Sequence, residues 1–389
     1  MDDTTRRRSK RIRPSPETNA ATEGLKGLER LLRLMNKYVA SDLHLKVGNP
    51  PIMRVQGKIR YFDAENLDAE SVHDMLMDVL NEHQKGKFEL GKDLDFAYSI
   101  PRVGRYRVNA FRQRGSVSLA IRRVNTEIPS FEDLHLRADS MRRLASQRQG
   151  LAIVAGVTGS GKSTTLAAMI EFINSHRRCH IITVEDPIEY LYRDKKAFIN
   201  QREVGIDVES FPAALKSIVR QDPDVILIGE MRDPETFETA LTAAETGHLV
   251  FGTLHSSTVS QTIGRMIDMF PADRERALRQ ALAFSLRGIV CQKILPSCKE
   301  GVGLVPAQEI LLCTPTVQKL IVDAEDKKLE SVVRGAREDG MQDFNQSLMD
   351  LVAEGLISEQ AALEGSHNAE QLAMNLKGIF LGDDRKIVG

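Results

Sequence analysis

The chain has 389 residues, of which 42% are hydrophobic and 28% are charged, a composition typical of a soluble globular protein with two or three domains. Its formal net charge of -1 provides no global basic field, so we expect no nucleic-acid partner. No apolar run approaches the roughly 18 residues of a membrane-spanning helix, and no signal peptide opens the sequence. We therefore expect a cytoplasmic protein that, at most, contacts a membrane from the inside.

Residues 1–24 predict a disordered basic arm. They lack apolar periodicity, and six basic residues lie between Arg6 and Arg13. Such an arm is either a solvated tail without a role or a contact for anionic lipid or an acidic partner.

A small α+β domain is predicted over residues 25–125. A helical spacing of apolar residues opens it, and patterns of alternating polar and apolar residues then indicate strands. We expect a helix near Ala69–Gln84 and, after it, two strands joined by a turn at Arg114-Gly115. Residues 126–137 have the pattern of a linker.

Residues 138–314 alternate between strand and helix patterns, which predicts a doubly wound α/β domain with a mainly parallel sheet. Residues 315–389 predict a helical C-terminal subdomain and tail. The expected strands of the sheet are 151–155, 180–184, 224–229 and 248–254, and the expected helices start at Ser163 and span 210–220 and 234–246.

The stretch GVTGSGKST predicts a phosphate-binding loop, because an apolar strand enters it and an amphipathic helix leaves it. The glycines let backbone N–H groups turn toward phosphate oxygens, and the helix N-terminus adds partial positive charge. We expect Lys162 to reach the β- and γ-phosphates of ATP and the Ser163 hydroxyl to ligate Mg²⁺. The expected nucleotide contacts are Gly156, Val157, Thr158, Gly159, Ser160, Gly161, Lys162, Ser163 and Thr164.

A second motif, DPDVILIGE, ends at Glu230. Its apolar run from Val225 to Ile228 predicts a buried strand beside the strand of the phosphate loop. The generic pattern has an aspartate for Mg²⁺ at this end, whereas this chain has Glu230, which we interpret as the residue that aligns or deprotonates the attacking water. The alternative is an ordinary acidic residue at a strand end.

Two further stretches adjoin strands of the same predicted sheet. ITVEDPIEY carries Glu185, Asp186 and Glu189 directly after a strand, and TGHLVFGTLHS carries His248 and His255 at the two ends of another. Carboxylates after a strand often cap helices, and a single histidine at a strand end is often structural. Ligands of such sheets sit at the carboxyl ends of the strands, which favours a functional role for both stretches.

Together these motifs resemble those of the type II/type IV secretion ATPase superfamily. GVTGSGKST, VEDPIEY, ILIGEMRDPET and AAETGHLVFGTLH stand in the order and spacing of its Walker A, Asp box, Walker B and His box. The flanking stretches NQREVG and MIDMFPADR are most similar to the retraction ATPases of type IV pili. The similarity runs from about Leu28 to Ile357, nearly the whole of the predicted folded chain.

The resemblance implies a homohexameric ring motor at the cytoplasmic face of the inner membrane. Each subunit has a PAS-like N-terminal domain and a RecA-like ATPase domain, with ATP and Mg²⁺ bound between the two. Motion passes to the platform protein of the pilus in the inner membrane. Members of the family remove pilin subunits from the base of the fibre, which produces twitching motility.

The resemblance also implies roles for individual residues. Lys162 and Ser163 serve the phosphate loop, Glu185 is catalytic and binds the metal, and Glu230 is the catalytic carboxylate. His255 and His248 lie near the γ-phosphate. The N-terminal domain supplies arginines that reach the nucleotide, for which Arg107 and Arg122 fit by position, with Arg112 as a third candidate. The alternative for these arginines is a solvated strand face.

Two related functions remain open beside retraction. Thr316–Asp323 reads TVQKLIVD where retraction ATPases often read AIRNLIRE, and the tail continues to Gly389, as in accessory paralogues of the retraction motor. The chain is then either the motor itself or a ring partner of a paralogous retraction ATPase. An assembly or secretion ATPase usually carries a tetracysteine zinc loop, which Cys291 and Cys298 do not provide.

Overall fold

The computed structural model describes residues 11–12 and 27–379. They divide into two compact units, one up to Thr126 and one from Glu127, and each has its own hydrophobic core. Within the described ranges, no helix combines the length and the apolar character needed to cross a bilayer.

The described residues of the first unit form a seven-stranded sheet in the order β1-β4-β3-β2-β7-β6-β5 and three helices. Its core is formed by helix residues such as Leu32 and Leu76 and by alternate strand residues such as Leu43 and Val108. The elements are β1 (Arg11–Ile12), α1 (Gly27–Lys37), β2 (Ala40–Lys46), β3 (Ile52–Val55), β4 (Lys58–Phe62), α2 (Ala69–Met77), α3 (Glu82–Glu89), β5 (Leu94–Ile100), β6 (Gly104–Gln113) and β7 (Ser116–Arg123).

Two expectations for this unit are wrong in part. The single helix expected over Ala69–Gln84 is two helices, because the side chains of Asn81 and Gln84 each accept the backbone N–H of the other and start α3. Within the basic arm, Arg11–Ile12 forms a short strand parallel to β4, and Ile12 packs against the core. Residues 1–10 and 13–24 of the expected arm lie outside the described residues.

The second unit is built on a seven-stranded sheet in the order β10-β9-β11-β12-β8-β13-β14, parallel except for the edge strand β14. Its elements are α4 (Ala138–Ala145), β8 (Gly150–Ala155), α5 (Lys162–His176), β9 (His180–Glu185), β10 (Phe198–Glu203), α6 (Phe211–Ile218), β11 (Val225–Ile228), α7 (Pro234–Glu245), β12 (Leu249–Leu254), α8 (Val259–Asp268), α9 (Glu275–Ser285), β13 (Leu286–Pro296), β14 (Leu304–Leu312), α10 (Pro315–Val322), α11 (Leu329–Gly335), α12 (Phe344–Ala353), α13 (Glu359–Gly365) and α14 (Ala369–Leu376).

The sheet corrects one prediction that concerns the site. β11, the strand that leads to Glu230, does not lie beside β8, the strand of the phosphate loop; β12 lies between them and pairs with both. The sheet also contains β10, β13 and β14, which the sequence patterns did not predict. β13 starts directly after Ser285, the last residue of α9, so no turn signal marks its beginning.

The C-terminal helices belong to the core of this unit. Met341, Phe344, Leu348 and Leu372 are buried in the same cluster as the central strands. Gln342 forms an isolated bridge with Ile310 of β14, which extends the edge of the sheet. The predicted C-terminal helices, as far as they are described up to residue 379, are therefore part of the second unit.

Candidate nucleotide-binding and catalytic site

The phosphate loop joins β8 to the N-terminus of α5, as its sequence predicts. Gly156 and Gly161 have φ angles of 154° and 85°, and a Cβ on either would lie within 2.7 Å of an atom of Gln292. Only glycine fits both the backbone conformation and the space at these positions. The Lys162 ammonium donates to the carbonyl oxygens of Gly156 and Val157 at 2.9 and 3.0 Å, so it lies over the loop.

Gln292 of β13 is hydrogen-bonded to the phosphate loop and to the helix that follows it. Its side chain is 4% exposed and donates from Nε2 to the carbonyl of Ser160 at 2.7 Å. Its Oε1 accepts the Thr165 hydroxyl at 2.8 Å. One amide therefore fixes both the last turn of the loop and the first turn of α5.

A cavity of about 220 Å³ lies at the carboxyl edge of the sheet, next to the phosphate loop. Its lining includes Lys162, Ser163, Glu185, Glu230 and His255. With Thr158 and Gly159 of the loop, which also line it, the cavity brings together seven of the predicted site residues from four separate parts of the sequence. Gly156, Gly161 and Thr164 belong to the adjacent loop and helix, where Thr164 contacts the hydroxyl of Tyr190 at 3.0 Å.

Glu230 lies at the end of β11 between Arg232 and His255. His255 Nε2 lies 2.9 Å from its Oε1, and Arg232 forms an ion pair with the same oxygen. Burial alone would raise the pKa of Glu230, but the hydrogen bond and charge of Arg232, with the charge of His255, outweigh it, so the pKa lies below its usual value. The carboxylate is therefore ionised at neutral pH, as a general base must be.

Glu185 ends β9 and is nearly buried, with 9% of the residue exposed. Its Oε1 accepts the Thr183 hydroxyl at 2.7 Å and the Gln201 amide at 3.2 Å. Burial raises the pKa of Glu185 to about 7, although both hydrogen bonds act in the opposite direction. A carboxyl group in this state changes its charge near neutral pH.

The oxygen donors of the cavity are of the kind that Mg²⁺ takes. Ser163 offers a hydroxyl, and Glu185, Glu189 and Glu230 offer carboxylates. In the part of the chain that the structure describes, no three His, Cys, Asp or Glu residues are grouped closely enough to hold a metal by themselves. These oxygen donors fit Mg²⁺, which usually binds one or two carboxylates together with waters and phosphate oxygens.

His248 is not at this cavity. It precedes β12 at the amino end of the strand, and its Nδ1 lies 2.9 Å from the carbonyl of Ala243 at the end of α7. The six residues of β12 separate it from His255 by roughly 20 Å at the usual rise of a strand. The prediction that His248 lies near the γ-phosphate is therefore wrong for the cavity of this subunit.

In the first unit, Arg107 and Arg122 lie directly opposite each other on β6 and β7. Asp42 on β2 is the next partner in the same row, and its Oδ1 accepts from Arg122 Nε at 2.9 Å. Arg112 is an odd number of residues from Arg107 and so points to the other face of the sheet, where its guanidinium lies over the ring of Phe88. The structure therefore places Arg107 and Arg122 side by side and Arg112 on the opposite face of the sheet.

The cysteines of the described ranges are free thiols. Cys179 and Cys291 are buried, Cys313 is half-buried and Cys298 is exposed.

Comparisons with known proteins agree with the motifs and the fold. A family model described as type II/IV secretion system protein matches residues 92–317, more than half of the chain. The type IV pilus retractation ATPase PilT of Pseudomonas aeruginosa is 42% identical over 337 residues, which cover 87% of this chain and 97% of that protein. This chain belongs to the type II/IV secretion ATPase superfamily, in the group of the pilus retraction ATPases.

A second relative and a solved structure match over similar lengths. The type IV pilus ATPase PilU of Pseudomonas aeruginosa is 41% identical over 349 residues, which cover 90% of this chain and 91% of that protein. A crystal structure of the pilus retraction motor PilT with bound ADP superposes with a TM-score of 0.81 at 43% identity, covering 88% of this chain and 97% of the other. The predicted fold class, a small PAS-like domain, a RecA-like ATPase domain and C-terminal helices, is confirmed.

Three residues that contact the site of this secretion ATPase were not among the predicted ones. Arg232 lies two residues after Glu230. A cationic residue this close to a carboxylate at a strand end could have indicated the ion pair from the sequence alone. Gln292 is a polar residue in the apolar run GIVCQKIL, which is a weaker signal. Gln201 lies in NQREVG, a stretch that carried only the family resemblance.

Proposed function

We propose that this chain is the ATP-hydrolysing motor of type IV pilus retraction, a homohexamer that drives the disassembly of pili and twitching motility. The observation that carries the proposal is the meeting of Lys162, Ser163 and an ionised Glu230 in one cavity at the carboxyl edge of a parallel sheet. The similarity to the retraction ATPase PilT, 97% of whose length is covered, supports retraction as the direction of the work.

The chemistry follows from the positions of the charged groups. The backbone of the phosphate loop and the Lys162 ammonium would hold the phosphates of ATP, and Ser163 with Glu185 would hold Mg²⁺, which neutralises charge on the phosphate oxygens. Glu230, kept ionised by Arg232, would align the attacking water and accept its proton. His255, in contact with Glu230, would stabilise charge beside the γ-phosphate.

Arg107 and Arg122 are proposed as further nucleotide contacts from the first unit. Their placement as a cross-strand pair presents two guanidinium groups from one face of the sheet. Arginine suits phosphate because its planar fork binds two oxygens and stays charged. We propose that loss of the γ-phosphate after hydrolysis weakens this contact, and that the resulting domain motion acts on the platform protein in the inner membrane.

A second candidate is an accessory motor that works in the same ring system as a paralogous retraction ATPase. The similarity to PilU, which covers nine-tenths of this chain and is nearly as high as the similarity to PilT, supports this second candidate. The two candidates share the ATPase reaction and differ in whether the chain sustains retraction by itself.

The proposal is tested with Glu230→Gln and, as a matched control, Glu354→Gln, which changes an exposed glutamate directly after α12. Glu230→Gln should keep ATP binding and lose hydrolysis by about 10²–10⁴-fold, the usual contribution of a positioned base. The control should hydrolyse ATP at the wild-type rate. If Glu230→Gln hydrolyses ATP within about threefold of the wild-type rate, the loss is far smaller than that range and Glu230 is not the catalytic base.

The cellular arm uses a deletion strain complemented with each variant. Deletion should increase the number of surface pili and abolish twitching, and only wild type and Glu354→Gln should restore twitching. Loss of surface pili on deletion indicates an assembly motor instead. Twitching that persists in the deletion strain until a paralogue is also removed indicates the accessory role.

A further inference from the structure

The side chain of Gln201 makes three hydrogen bonds, one to Glu185 at the end of β9 and two to the segment that follows it. Its Nε2 donates to Oε1 of Glu185 at 3.2 Å and to the carbonyl of Tyr190 at 2.8 Å. Its Oε1 accepts the backbone N–H of Tyr192 at 3.0 Å. An amide has two donor hydrogens, so both are used here, and both point at groups of the Asp box.

The parallel pairing of two strands puts Gln201 in this position. β10 is the edge strand next to β9, and Gln201 lies opposite Thr183 in their register. Side chains two residues apart share a face of a strand, so Thr183 and Glu185 project to the same side as Gln201. Thr183 donates to the same oxygen of Glu185 at 2.7 Å, so two donors from neighbouring strands fix one carboxylate oxygen.

The same amide connects this carboxylate to the phosphate loop. Gln201 holds the carbonyl of Tyr190, and the Tyr190 hydroxyl contacts Thr164 in the first turn of α5 at 3.0 Å. Glu185 and Tyr190 both line the cavity that also contains Lys162. At Tyr190, the segment between β9 and β10 is therefore bonded both to the edge strand and to the helix that follows the phosphate loop.

We propose that Gln201 is a positioning residue for ATP hydrolysis, whose amide holds the Glu185 carboxylate and the backbone at Tyr190 and Tyr192 in one arrangement relative to the phosphate loop. This inference rests on the proposed function. It assigns a task to NQREVG, which otherwise carries only a family resemblance. Gln201 does not touch the phosphate loop itself, so its loss should disturb the chemical step more than the binding of ATP.

The first test compares Gln201→Leu with Asn200→Leu in the full-length protein. Leucine has a similar volume and makes none of the three hydrogen bonds. Asn200 is the adjacent residue of β10, faces the other way and bonds the His180 ring at 2.8 Å, so the control also loses one hydrogen bond. We expect Gln201→Leu to lower kcat by about 10–100-fold, as for a misplacement of about 1 Å in an active site. KM for ATP should stay within about threefold, because the loop that holds the phosphates is untouched.

The second test separates positioning from a general structural effect. Gln201→Leu is combined with Glu185→Gln, and kcat is measured for both single variants and for the double variant. If Gln201 acts through Glu185, its loss should cost much less in the Glu185→Gln background than in wild type. Equal costs in the two backgrounds overturn the inference, as does a Gln201→Leu kcat equal to that of Asn200→Leu.

A third measurement does not depend on activity. Gln201 accepts the backbone N–H of Tyr192, so amide hydrogen exchange in residues 186–192 should accelerate in Gln201→Leu and stay at the wild-type rate in Asn200→Leu. Unchanged exchange in that segment overturns the inference even where residual ATPase activity is too low to compare. Wild-type protein that hydrolyses no ATP would instead contradict the proposed function, so the two failures are distinguishable.

Discussion

Replacement of Gln292 by methionine should weaken both the fold and the nucleotide site. Methionine keeps an unbranched side chain of similar volume, so no large cavity forms. It removes the donor to the Ser160 carbonyl and the acceptor of the Thr165 hydroxyl, and both lost bonds are buried. A buried polar group left without a partner costs about 1–3 kcal/mol. Two such groups give a loss of about 2–4 kcal/mol in the free energy of unfolding, if the Thr165 hydroxyl recovers part of its bond within α5.

The assay is urea unfolding of the purified protein together with titration by a fluorescent ATP analogue. Because Ser160 belongs to the phosphate loop, we expect nucleotide affinity to fall about tenfold, which corresponds to 1.4 kcal/mol. The control is Gln360→Met, which replaces an exposed glutamine of α13 bonded to Glu364, and which should change stability by less than about 0.5 kcal/mol. If Gln292→Met matches this control in both stability and affinity, Gln292 does not support the loop.

Three further perturbations have defined outcomes. Gly161→Ala would place a Cβ 2.7 Å from Gln292 Nε2 at a φ of 85°, so ATP affinity should fall at least about tenfold. The control Gly205→Ala has a similar φ of 80° but open space around the Cβ, and it should bind ATP normally. Equal ATP affinities of the two variants would contradict the packing argument. Burial raises the pKa of Glu309 to about 7, so the stability linked to this group is present below its unfolded pKa and is lost as pH rises through 7. Glu309→Gln should therefore raise the free energy of unfolding at pH 8 by on the order of 1–3 kcal/mol and have little effect at pH 5, and a difference that does not change with pH opposes this reasoning. Truncation after Asp339 removes buried core residues and the bridge to β14, so we expect the truncated protein not to fold into an active ATPase. A soluble truncated protein with wild-type ATPase activity would show that the C-terminal helices are dispensable.

The motifs of the site could be read from the sequence because each depends on a short stretch of chain. The phosphate loop needs glycines at fixed positions between a strand and a helix, and Gly156 and Gly161 have the φ angles and close contacts that exclude a side chain. The pairing of Arg107 with Arg122 is also a local property. It follows from a hairpin whose turn at Arg114-Gly115 has positive φ at both residues, and this turn sets the register of the two strands.

Local patterns failed where a neighbour in space determined the result. The order of the strands is not written in any single stretch, so the position of β12 between β11 and β8 was not predicted. His248 and His255 stand at the two ends of one strand, and only the direction of β12 within the sheet decides which of them reaches the cavity. No turn signal marks the start of β13, which follows α9 directly, and the contact of its residue Gln292 with the phosphate loop was therefore missed.

The sequence by itself determined the fold class, the phosphate loop, Glu185, Glu230 and the family, because these depend on residue types at fixed spacings. The tertiary structure alone decided which charges meet. Arg232 and His255 keep Glu230 ionised, whereas burial leaves Glu185 with a pKa of about 7. Both residues are strand-end glutamates, and what distinguishes them is the burial and the charge around each carboxylate. Arg232 is only two residues from Glu230, but the contact with His255 and the burial of each carboxylate arise from residues distant in the chain that packing brings together.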